Sequence, residues 1–361
     1  MSQLARTTID LGSLKIPPCA LPRPGDSVLW YERALPISGH LLGHTQNCAP
    51  CVKTEWDATV VLHSYDSIRL VEPDKPVGPN WTHLPPSANV VRPTRAEQDR
   101  FAELLGRRIP NGTRYIDLIG EIWSRGHEVF LTAGAVRDII ADRECRDVDI
   151  ATTMPLEKLF RIVDGMYEGT IRFDNENRSN GQLTLGGAPG TTDPFVDIRV
   201  FRHLWPGTPR AIFGSSFEQD TAYRDFACNS LYFDPINNAL IDPTGYGLSD
   251  AADSRLRAVY NAKLRTHLQI AEIGVRMIKF CVQGYSAADG HEEELQELAR
   301  HTGTLPSIEL VSFVKSQVFR GLSEAERTIA YDLMRQMFVA LGEERLWDAR
   351  YGPYREELLS A

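Results

Sequence analysis

The sequence predicts a mixed α+β protein, with a proline-rich region before it and a helical part after it. Three observations support this fold class. Twelve of the 22 prolines fall within residues 1–93, short apolar runs alternate with helical patterns through residues 94–250, and apolar residues recur at helical spacing from residue 262 onward. These changes of pattern divide the chain into a proline-rich N-terminal region (1–93), an α+β unit (94–250) and a helical part (251–361).

The length and composition are typical of a folded globular protein with two or three domains. The chain has 361 residues, of which 42% are hydrophobic and 24% are charged. No apolar run reaches the roughly 18 residues of a membrane-spanning helix, and the first residues lack the continuous apolar stretch of a secretory signal. Six cysteines in a chain of this length are too sparse for a disulfide framework, so we expect a reducing, cytoplasmic setting.

The net charge of −9 is unevenly distributed. Residues 1–95 carry +1, residues 96–250 carry −8 and residues 251–361 carry −2, yet residues 251–285 alone carry +4. A globally acidic protein has a low non-specific affinity for nucleic acid, because affinity for a phosphate backbone comes from Lys and Arg. The basic stretch still suits a triphosphate or the end of one nucleic-acid strand.

The elements of the α+β unit follow from local signals in chain order. Thr94 and Glu97 form a capping-box pattern at the start of a first helix. Thr113 is the expected N-cap of a second helix, which Gly126 closes. Next come a buried strand EVFLT, a short helix GAVRDIIAD, a strand RDVDIATT and a helix PLEKLFRIV with proline in its first turn.

Short strands with glycine and asparagine turns are predicted between residues 168 and 202. In FVDIRVFR, three aliphatic residues alternate with Asp197 and Arg199, so these two polar residues share one face of a strand. The proline-rich region is expected to be loop-rich, with a short strand at DATVVLHS. The helical part contains the periodic segments IAEIGVRMIKFCV, IELVSFVKSQVF and TIAYDLMRQMFVALG.

The segment LTAGAVRDIIADRECRDVDIATT carries the clearest chemical signal. It places Gly134, Arg137 and Asp138 in a strand-to-helix turn, where backbone N–H groups and a guanidinium can hold phosphates. Asp147 and Asp149 follow two residues apart on a strand, so both carboxylates project from the same face. Two such carboxylates beside phosphate oxygens are suitable ligands for Mg²⁺.

The strand carboxylates also have structural interpretations. Asp197 could supply a third carboxylate to a two-metal site, or it could face outward and pair with Arg199. Asp147 and Asp149 could form a solvated strand edge, but the phosphate-binding turn upstream favours a metal site.

A second cluster, FEQDTAYRDFACNSLYFDPINNALIDPTGYGLSD, follows the first. Together the two clusters resemble the head of the class II nucleotidyltransferases, which include bacterial-type CCA-adding enzymes and poly(A) polymerases. That head shows Gly-Gly-x-Val-Arg-Asp, Asp-x-Asp, Arg-Arg-Asp-Phe-x-x-Asn-Ala and Ile-Asp-Pro-x-Gly-Gly in this order. The chain matches the four motifs, with alanine for the first glycine and tyrosine for the first arginine, at Ala133–Asp138, Asp147 with Asp149, Tyr223–Ser230 and Ile241–Gly245.

The resemblance implies a polymerase-β-like head that transfers a nucleotide from an NTP, ATP or CTP, to a hydroxyl with release of pyrophosphate. The acceptor that it implies is an RNA 3′ end, that of tRNA above all. By the same resemblance, Asp147, Asp149 and Asp197 would bind Mg²⁺. The implied nucleotide-binding residues are Gly134, Arg137, Asp138, Arg224, Asp225, Asn229, Arg276 and Lys279.

The helix that precedes Arg276 departs from the family pattern. In the family, Glu-Asp-x-x-Arg reads the incoming base there, and Arg-x-x-Arg-Phe follows. In this chain apolar residues fall at the base-reading positions, so we expect weak discrimination between bases. The residues concerned are Ile270 and Ile273 at the counted positions, with Glu272 and Arg265 nearby if the register slips by one.

The acceptor therefore has more than one interpretation. An RNA 3′ end is the expectation from the family. A small molecule or a protein hydroxyl fits the acidic charge, the altered helix and the short stretch of chain after Gly284. A catalytically silent nucleotide-binding relative is a further alternative, which the intact Asp147 and Asp149 oppose.

A possible zinc site lies in the proline-rich region. His40, His44, Cys48 and Cys51 offer four nitrogen and sulfur ligands at short spacing, which suits tetrahedral Zn²⁺. The spacing is not that of a common zinc finger, and Pro50 lies inside the Cys-x-x-Cys pair. Unligated thiols and loop histidines are the alternative, which we favour.

Overall fold

The structure is a computed structural model. It describes residues 27–32, 35–44, 50–54, 59–61, 69–70, 84–109, 113–145, 148–167, 171–173, 177–178, 180–186, 195–204, 211–213 and 216–360. Asp147 and Cys48 lie outside these residues.

Five strands in the N-terminal region form an antiparallel sheet of order β4-β3-β2-β1-β5. The predicted strand at residues 57–64 is present as Thr59–Val61. Four further strands, which the sequence analysis did not predict, form in the same region. Pro36 and Pro50 lie close to strand starts, where a missing N–H is tolerated. The strands are β1 Ser27–Glu32, β2 Leu35–His44, β3 Pro50–Thr54, β4 Thr59–Val61 and β5 Arg69–Leu70.

The centre of the protein is an eight-stranded mixed sheet of order β6-β15-β14-β7-β8-β11-β10-β9. Its neighbours are antiparallel except for β8 and β11, which run parallel. The parallel pair lies in the middle of the order, so it is flanked by strands on both sides. The strands are β6 Asn89–Val91, β7 Val129–Thr132, β8 Val148–Thr152, β9 Ile171–Arg172, β10 Gln182–Gly186, β11 Phe195–Val200, β14 Tyr232–Asp234 and β15 Ala239–Asp242.

In the described part of the chain, six helices accompany this sheet. The capping box at the first helix is confirmed, since the Glu97 N–H donates to Thr94 Oγ1 (3.3 Å) and the Thr94 N–H donates to Glu97 Oε2 (2.7 Å). The predicted cap of the second helix is wrong. Arg114 occupies the N-cap, and the Thr113 hydroxyl donates instead to the Met166 carbonyl (3.2 Å). The helices are α1 Arg95–Gly106, α2 Tyr115–Ser124, α3 Gly134–Ile140, α4 Leu156–Met166, α5 Phe217–Ala222 and α6 Gly247–Ala252.

Two small sheets complete the strand inventory of the described residues. One joins β12 and β13 in antiparallel fashion, and the other joins β16 and β17 in parallel. The second of these joins the segments before and after residues 267–282. The strands are β12 Arg202–Leu204, β13 Ala211–Phe213, β16 Arg255–Leu256 and β17 Ser286–Ala287.

The helical C-terminal part is confirmed, and with it the α+β class of the whole. Its first helix, α7, packs closely on α8, because a Cβ at Gly274 would lie only 2.5 Å from the Leu298 carbonyl oxygen. The ring of Phe280 on α7 packs edge-on against Phe226 of the α+β unit at 5.6 Å. The helices are α7 His267–Val282, α8 Glu292–Thr302, α9 Ser307–Gln317, α10 Glu324–Ala340, α11 Glu344–Arg350 and α12 Arg355–Leu359.

One apolar core contains residues of both the α+β unit and the helical part, so α7 packs against the α+β unit. A smaller cluster, dominated by aromatic rings at 5.0–6.0 Å from one another, contains Phe130, Phe201, Phe217 and Tyr232. Among the described helices, none combines the length and the apolar character needed to cross a bilayer.

Candidate active site

Asp149 and Asp197 lie directly opposite each other on the parallel strands β8 and β11. Residues in register on adjacent strands point to the same face of a sheet, so the two carboxylates are side by side. Sequence spacing alone placed them 48 positions apart, and the strand pairing brings them together. Asp147 precedes Asp149 by two residues in the sequence and is outside the described residues.

The Asp197 carboxylate has a partner on each oxygen. Thr184, opposite it on β10, donates its hydroxyl to Oδ1 at 2.6 Å, and Arg199 donates to Oδ2 at 3.2 Å. The same Arg199 nitrogen lies 3.8 Å from Asp149 Oδ1. Burial acts to lower the pKa of Arg199, but the carboxylates of Asp149 and Asp197 raise it above its ordinary value. Asp197 therefore both neighbours Asp149 and pairs with Arg199, and its role as a metal ligand stays a prediction.

The turn from β7 into α3 presents Gly134 and Arg137 to the same region. Ala133, which replaces the first glycine of the motif, adopts φ 53° and ψ −124°, a conformation that favours glycine. The Arg137 guanidinium donates to Asp138 Oδ1 (2.9 Å) and to Asn229 Oδ1 (3.0 Å). Burial alone would lower the pKa of Arg137, but the Asp138 carboxylate holds it above its ordinary value.

Asp225 and Asn229 continue this polar chain toward α7. Asp225 Oδ1 accepts from the Phe226 N–H (2.8 Å) and from Asn229 Nδ2 (3.1 Å), and Oδ2 lies 2.9 Å from the Arg276 guanidinium. Burial acts to raise the pKa of Asp225, but Arg276 and these hydrogen bonds lower it below its usual range. The site floor is thus a continuous chain from Arg137 through Asn229 and Asp225 to Arg276.

A buried acidic residue, Asp220, holds the neighbouring arginines. Its Oδ2 accepts two hydrogen bonds from Arg224 (2.8 and 3.1 Å) and one from the Tyr232 hydroxyl (2.5 Å). Its Oδ1 accepts from the Arg202 N–H (3.0 Å) and lies 3.7 Å from Arg202 Nε. Burial acts to raise the pKa of Asp220, but Arg224 and Arg202 lower it. Burial, with the like charge of Arg199, lowers the pKa of Arg202 to about 10.

Helix α7 forms one wall with a polar stripe. Gln269, Glu272, Arg276 and Lys279 recur at helical spacing and line the site together with Ile273. Burial raises the pKa of the Glu272 carboxyl.

The expectation that Ile270 faces the incoming base differs from what the structure shows. Ile270 is buried in the core, whereas Glu272, one turn before Arg276, lines the site. Arg265 lines it as well, packing over the Tyr223 ring at 4.7 Å and donating to the Tyr223 carbonyl. Ile273 of the counted register therefore lines the site together with Glu272 and Arg265, and Ile270 does not.

These walls enclose an open cavity of about 810 Å³. Among the described residues its lining carries more cations than carboxylates, so it suits a ligand with several negative charges. The carboxylates that line it are Asp138, Glu144, Asp149, Asp225 and Glu272. The cations are Arg137, Arg143, Arg199, Arg202, Arg224, Arg265, Arg276 and Lys279.

Comparison with known proteins identifies the domain that builds most of this cavity. Residues 129–257 match the model of the poly A polymerase head domain family. Over this stretch, about a third of its length, the chain is similar to the head of the class II nucleotidyltransferases. The match begins at β7 and ends just after β16, so it contains Asp149, Asp197 and the arginines around Asp220.

Two curated proteins that are similar to this part of the chain are CCA-adding enzymes. The one from Lactobacillus johnsonii is 29% identical over 176 residues, which are 47% of this chain and 41% of that protein. The one from Streptococcus pyogenes serotype M5 is 34% identical over 155 residues, which are 42% of this chain and 35% of that protein. The chain thus spans well under half the length of these relatives.

A solved structure is also similar. The Thermotoga maritima CCA-adding enzyme complexed with tRNA_CCA aligns with 67% of this chain and 54% of its own, at 14% identity and a TM-score of 0.48.

Sequence reasoning missed the part that three residues play in shaping the site. Asp220 carried a usable signal, since it precedes Arg224 by one helical turn. Arg199 lies in the alternating strand and Arg202 just after it, and Arg199 was considered only as a partner for Asp197. The pairing of β11 with β8, which no local pattern encodes, brings Arg199 beside Asp149.

Three of the four proposed zinc ligands fall on strands of the N-terminal sheet. The backbone of His40 and His44 is in β2 and that of Cys51 in β3, so the histidines are on a strand rather than in a loop. In the antiparallel pairing His44 is opposite Pro50, next to Cys51. The side chains of these three residues and the whole of Cys48 are outside the described residues, so zinc binding stays a prediction.

Proposed function

We propose that this protein transfers a nucleotide from an NTP to the 3′ hydroxyl of an RNA, with tRNA as the first candidate, and releases pyrophosphate. The observation that carries the proposal is the position of the Asp149–Asp197 pair beside a cavity lined by eight cationic side chains. A triphosphate matches that charge, and two adjacent carboxylates are what phosphoryl-transfer sites use to hold divalent metal.

The residues present fit Mg²⁺. Asp149 and Asp197 supply hard oxygen ligands from neighbouring strands, and they already hold one cation, the Arg199 guanidinium, between them. Mg²⁺ bound there would neutralise charge on the α-phosphate and on the attacking hydroxyl. Asp147 is the further ligand that the family motif implies.

The other residues of the cavity would bind and orient the nucleotide. Arg137 faces the triphosphate with its guanidinium held by Asp138 and Asn229, so little side-chain freedom is lost on binding. Asp220 keeps Arg224 charged and fixed in the same way. On the wall formed by α7, Glu272 and Arg276 offer an acceptor and a donor to a base edge.

Two observations support RNA as the acceptor. Curated relatives of the head are CCA-adding enzymes, and the basic stretch over residues 251–285 includes the α7 wall. A small-molecule or protein hydroxyl is the competing acceptor, and the net charge of −9 favours it.

A transfer assay tests the proposal. The purified chain would be incubated with Mg²⁺ and each of the four α-³²P-labelled NTPs, together with tRNA transcripts that lack or contain the 3′-terminal CCA, an unstructured RNA and a set of small hydroxyl compounds. We expect label from ATP or CTP on the RNA, and none with Asp149→Asn. Label on a small acceptor alone would replace RNA as the substrate, and no transfer to any acceptor would refute the proposal.

A further inference from the structure

Arg199 occupies the space between the two strand carboxylates. One of its terminal nitrogens lies 3.2 Å from Asp197 Oδ2 and 3.8 Å from Asp149 Oδ1. Arg199 and Asp197 are two residues apart on β11, so both project from the same face of the sheet as Asp149. The guanidinium therefore neutralises a carboxylate pair that would otherwise repel itself.

Both oxygens of Asp197 already accept a hydrogen bond. Thr184 donates to Oδ1 at 2.6 Å, and Arg199 donates to Oδ2 at 3.2 Å. A metal ion shared by Asp149 and Asp197 on this face would lie against the positive charge of Arg199 and would compete with it for Oδ2. Binding of that ion is therefore favoured when the guanidinium moves away.

The Arg199 guanidinium does not make all the hydrogen bonds that it could make in this position. Its Nε is buried and has no hydrogen-bond partner among the described residues, which is unfavourable for a charged donor. The positive charges of Arg202 and Arg224 lie close enough to act on it unfavourably. Its side chain is 26% exposed and lines the cavity, so a path for displacement exists.

We propose that Arg199 is an internal counter-cation that competes with the divalent metal ion for the Asp149–Asp197 pair. It is a positioning residue, since it keeps the two carboxylates together when no metal is bound. Arg199 also lowers the affinity of the carboxylate pair for the metal ion, because the ion competes with the guanidinium. This inference rests on the proposed function in assuming that the carboxylate pair binds a divalent ion.

Manganese binding without nucleotide tests the competition directly. Mn²⁺ would be titrated into the full chain, and the free ion followed by electron paramagnetic resonance. We expect Arg199→Gln to bind Mn²⁺ about tenfold more tightly than the wild type, because one positive charge a few ångströms away is removed. Arg199→Lys, which keeps the charge, should fall between them. The matched control Arg125→Gln removes the same charge from an exposed pair with Glu121 on α2 and should leave the affinity unchanged.

Thermal unfolding supplies the second readout. Without metal, Arg199→Gln should melt at a lower temperature than the wild type, because two adjacent carboxylates are left without a counter-charge. Saturating Mn²⁺ should raise its melting temperature by more than it raises that of the wild type, since ligand stabilisation grows with affinity.

The possible outcomes distinguish failure of the Arg199 inference from failure of the proposed nucleotide transfer. If the wild type binds Mn²⁺ and Arg199→Gln binds it equally or more weakly, the competition is refuted while the proposed function stands. If neither protein binds Mn²⁺, the inference is refuted, and the transfer assay alone decides the proposed function. Asp149→Asn in each background should abolish the tight binding, and retention of that binding would place the ion elsewhere and overturn the inference.

Discussion

The guanidinium of Arg276 on α7 lies 2.9 Å from the carboxylate of Asp225, which is only 4% exposed. This ion pair joins the helical part to the head at the floor of the cavity. Through Asn229 it continues to Arg137, so a change at α7 can be transmitted to the turn that we propose for triphosphate binding. The helix is thus a functional wall of the site and not only a support.

Loss of Arg276 should destabilise the fold in a pH-dependent way. We expect Arg276→Ala to lower the free energy of unfolding by about 1–2 kcal/mol at pH 7, since the half-exposed guanidinium is partly screened. The pKa of Asp225 is lowered in the folded state, so the stabilisation is present above the ordinary pKa of about 4 and is lost as the pH falls through the lower folded value. Urea unfolding from pH 7 to pH 3 measures the difference between variant and wild type.

The control for this experiment is Arg300→Ala, which breaks an exposed pair with Glu343. It should cost less than about 1 kcal/mol. A loss in Arg276→Ala that stays constant down to pH 3 would contradict the role of the Asp225 charge.

Removal of the Asp149 carboxylate should abolish catalysis and spare the fold. Asp149→Asn should reduce nucleotide transfer about a thousandfold, because a metal ligand supplies several kcal/mol of transition-state stabilisation. Circular dichroism and urea unfolding would check that the protein stays folded. Asp197→Asn in the same assay distinguishes a metal ligand, with a comparable loss, from a mere partner of Arg199, with a loss below about tenfold.

Asp220 should be essential for stability. Asp220→Asn leaves Arg224 and Arg202 buried without a counter-charge, so we expect the free energy of unfolding to fall by about 3 kcal/mol. Glu218→Gln, exposed on the same helix, should change it by less than about 0.5 kcal/mol. Equal stability of the two variants would show that the arginines do not depend on this carboxylate.

Ala133→Gly should stabilise the protein. Alanine at φ 53° and ψ −124° is strained, and glycine removes that strain at a smaller cost in chain entropy. The net gain should be about 1 kcal/mol in urea unfolding. Ala135→Gly, inside the following helix, should instead destabilise by about 1 kcal/mol, and the same sign for both variants would argue against local strain.

An RNA acceptor should respond to salt through Lys263. This exposed lysine lies in the basic stretch before α7, and Lys263→Ala should reduce the slope of log affinity against log salt by about 0.7–0.9. Filter binding with a tRNA transcript at several salt concentrations measures it. Lys158→Ala, on α4, is the control and should leave the slope unchanged. Transfer to a small acceptor that is insensitive to salt would contradict RNA as the acceptor.

Local signals predicted much of the head but not how its parts meet. Alternation in FVDIRVFR predicted β11, and the capping box predicted the start of α1, because both depend on neighbours in sequence. The register of Asp149 against Asp197 arises from pairing across 48 positions, which no local pattern contains.

Other differences have similarly specific causes. Counting back from Arg276 placed Ile270 at the site, whereas helix packing turns it into the core and leaves Glu272 in the cavity. Thr113 resembles a cap, but its hydroxyl is used by Met166. In the N-terminal region, frequent prolines predicted loops, although prolines near strand starts are compatible with a sheet.

The short strand β6 has a practical consequence for anyone who expresses the head alone. It covers the outer side of β15, and Ser87 just before it donates a hydrogen bond to the Pro243 carbonyl at 2.9 Å. A truncated protein that starts at residue 94 would uncover the backbone donors and acceptors of β15, whose four residues are all buried here. An uncovered edge of this kind is a template for strand addition between molecules. Such a fragment should self-associate, and one that starts at residue 84 should not.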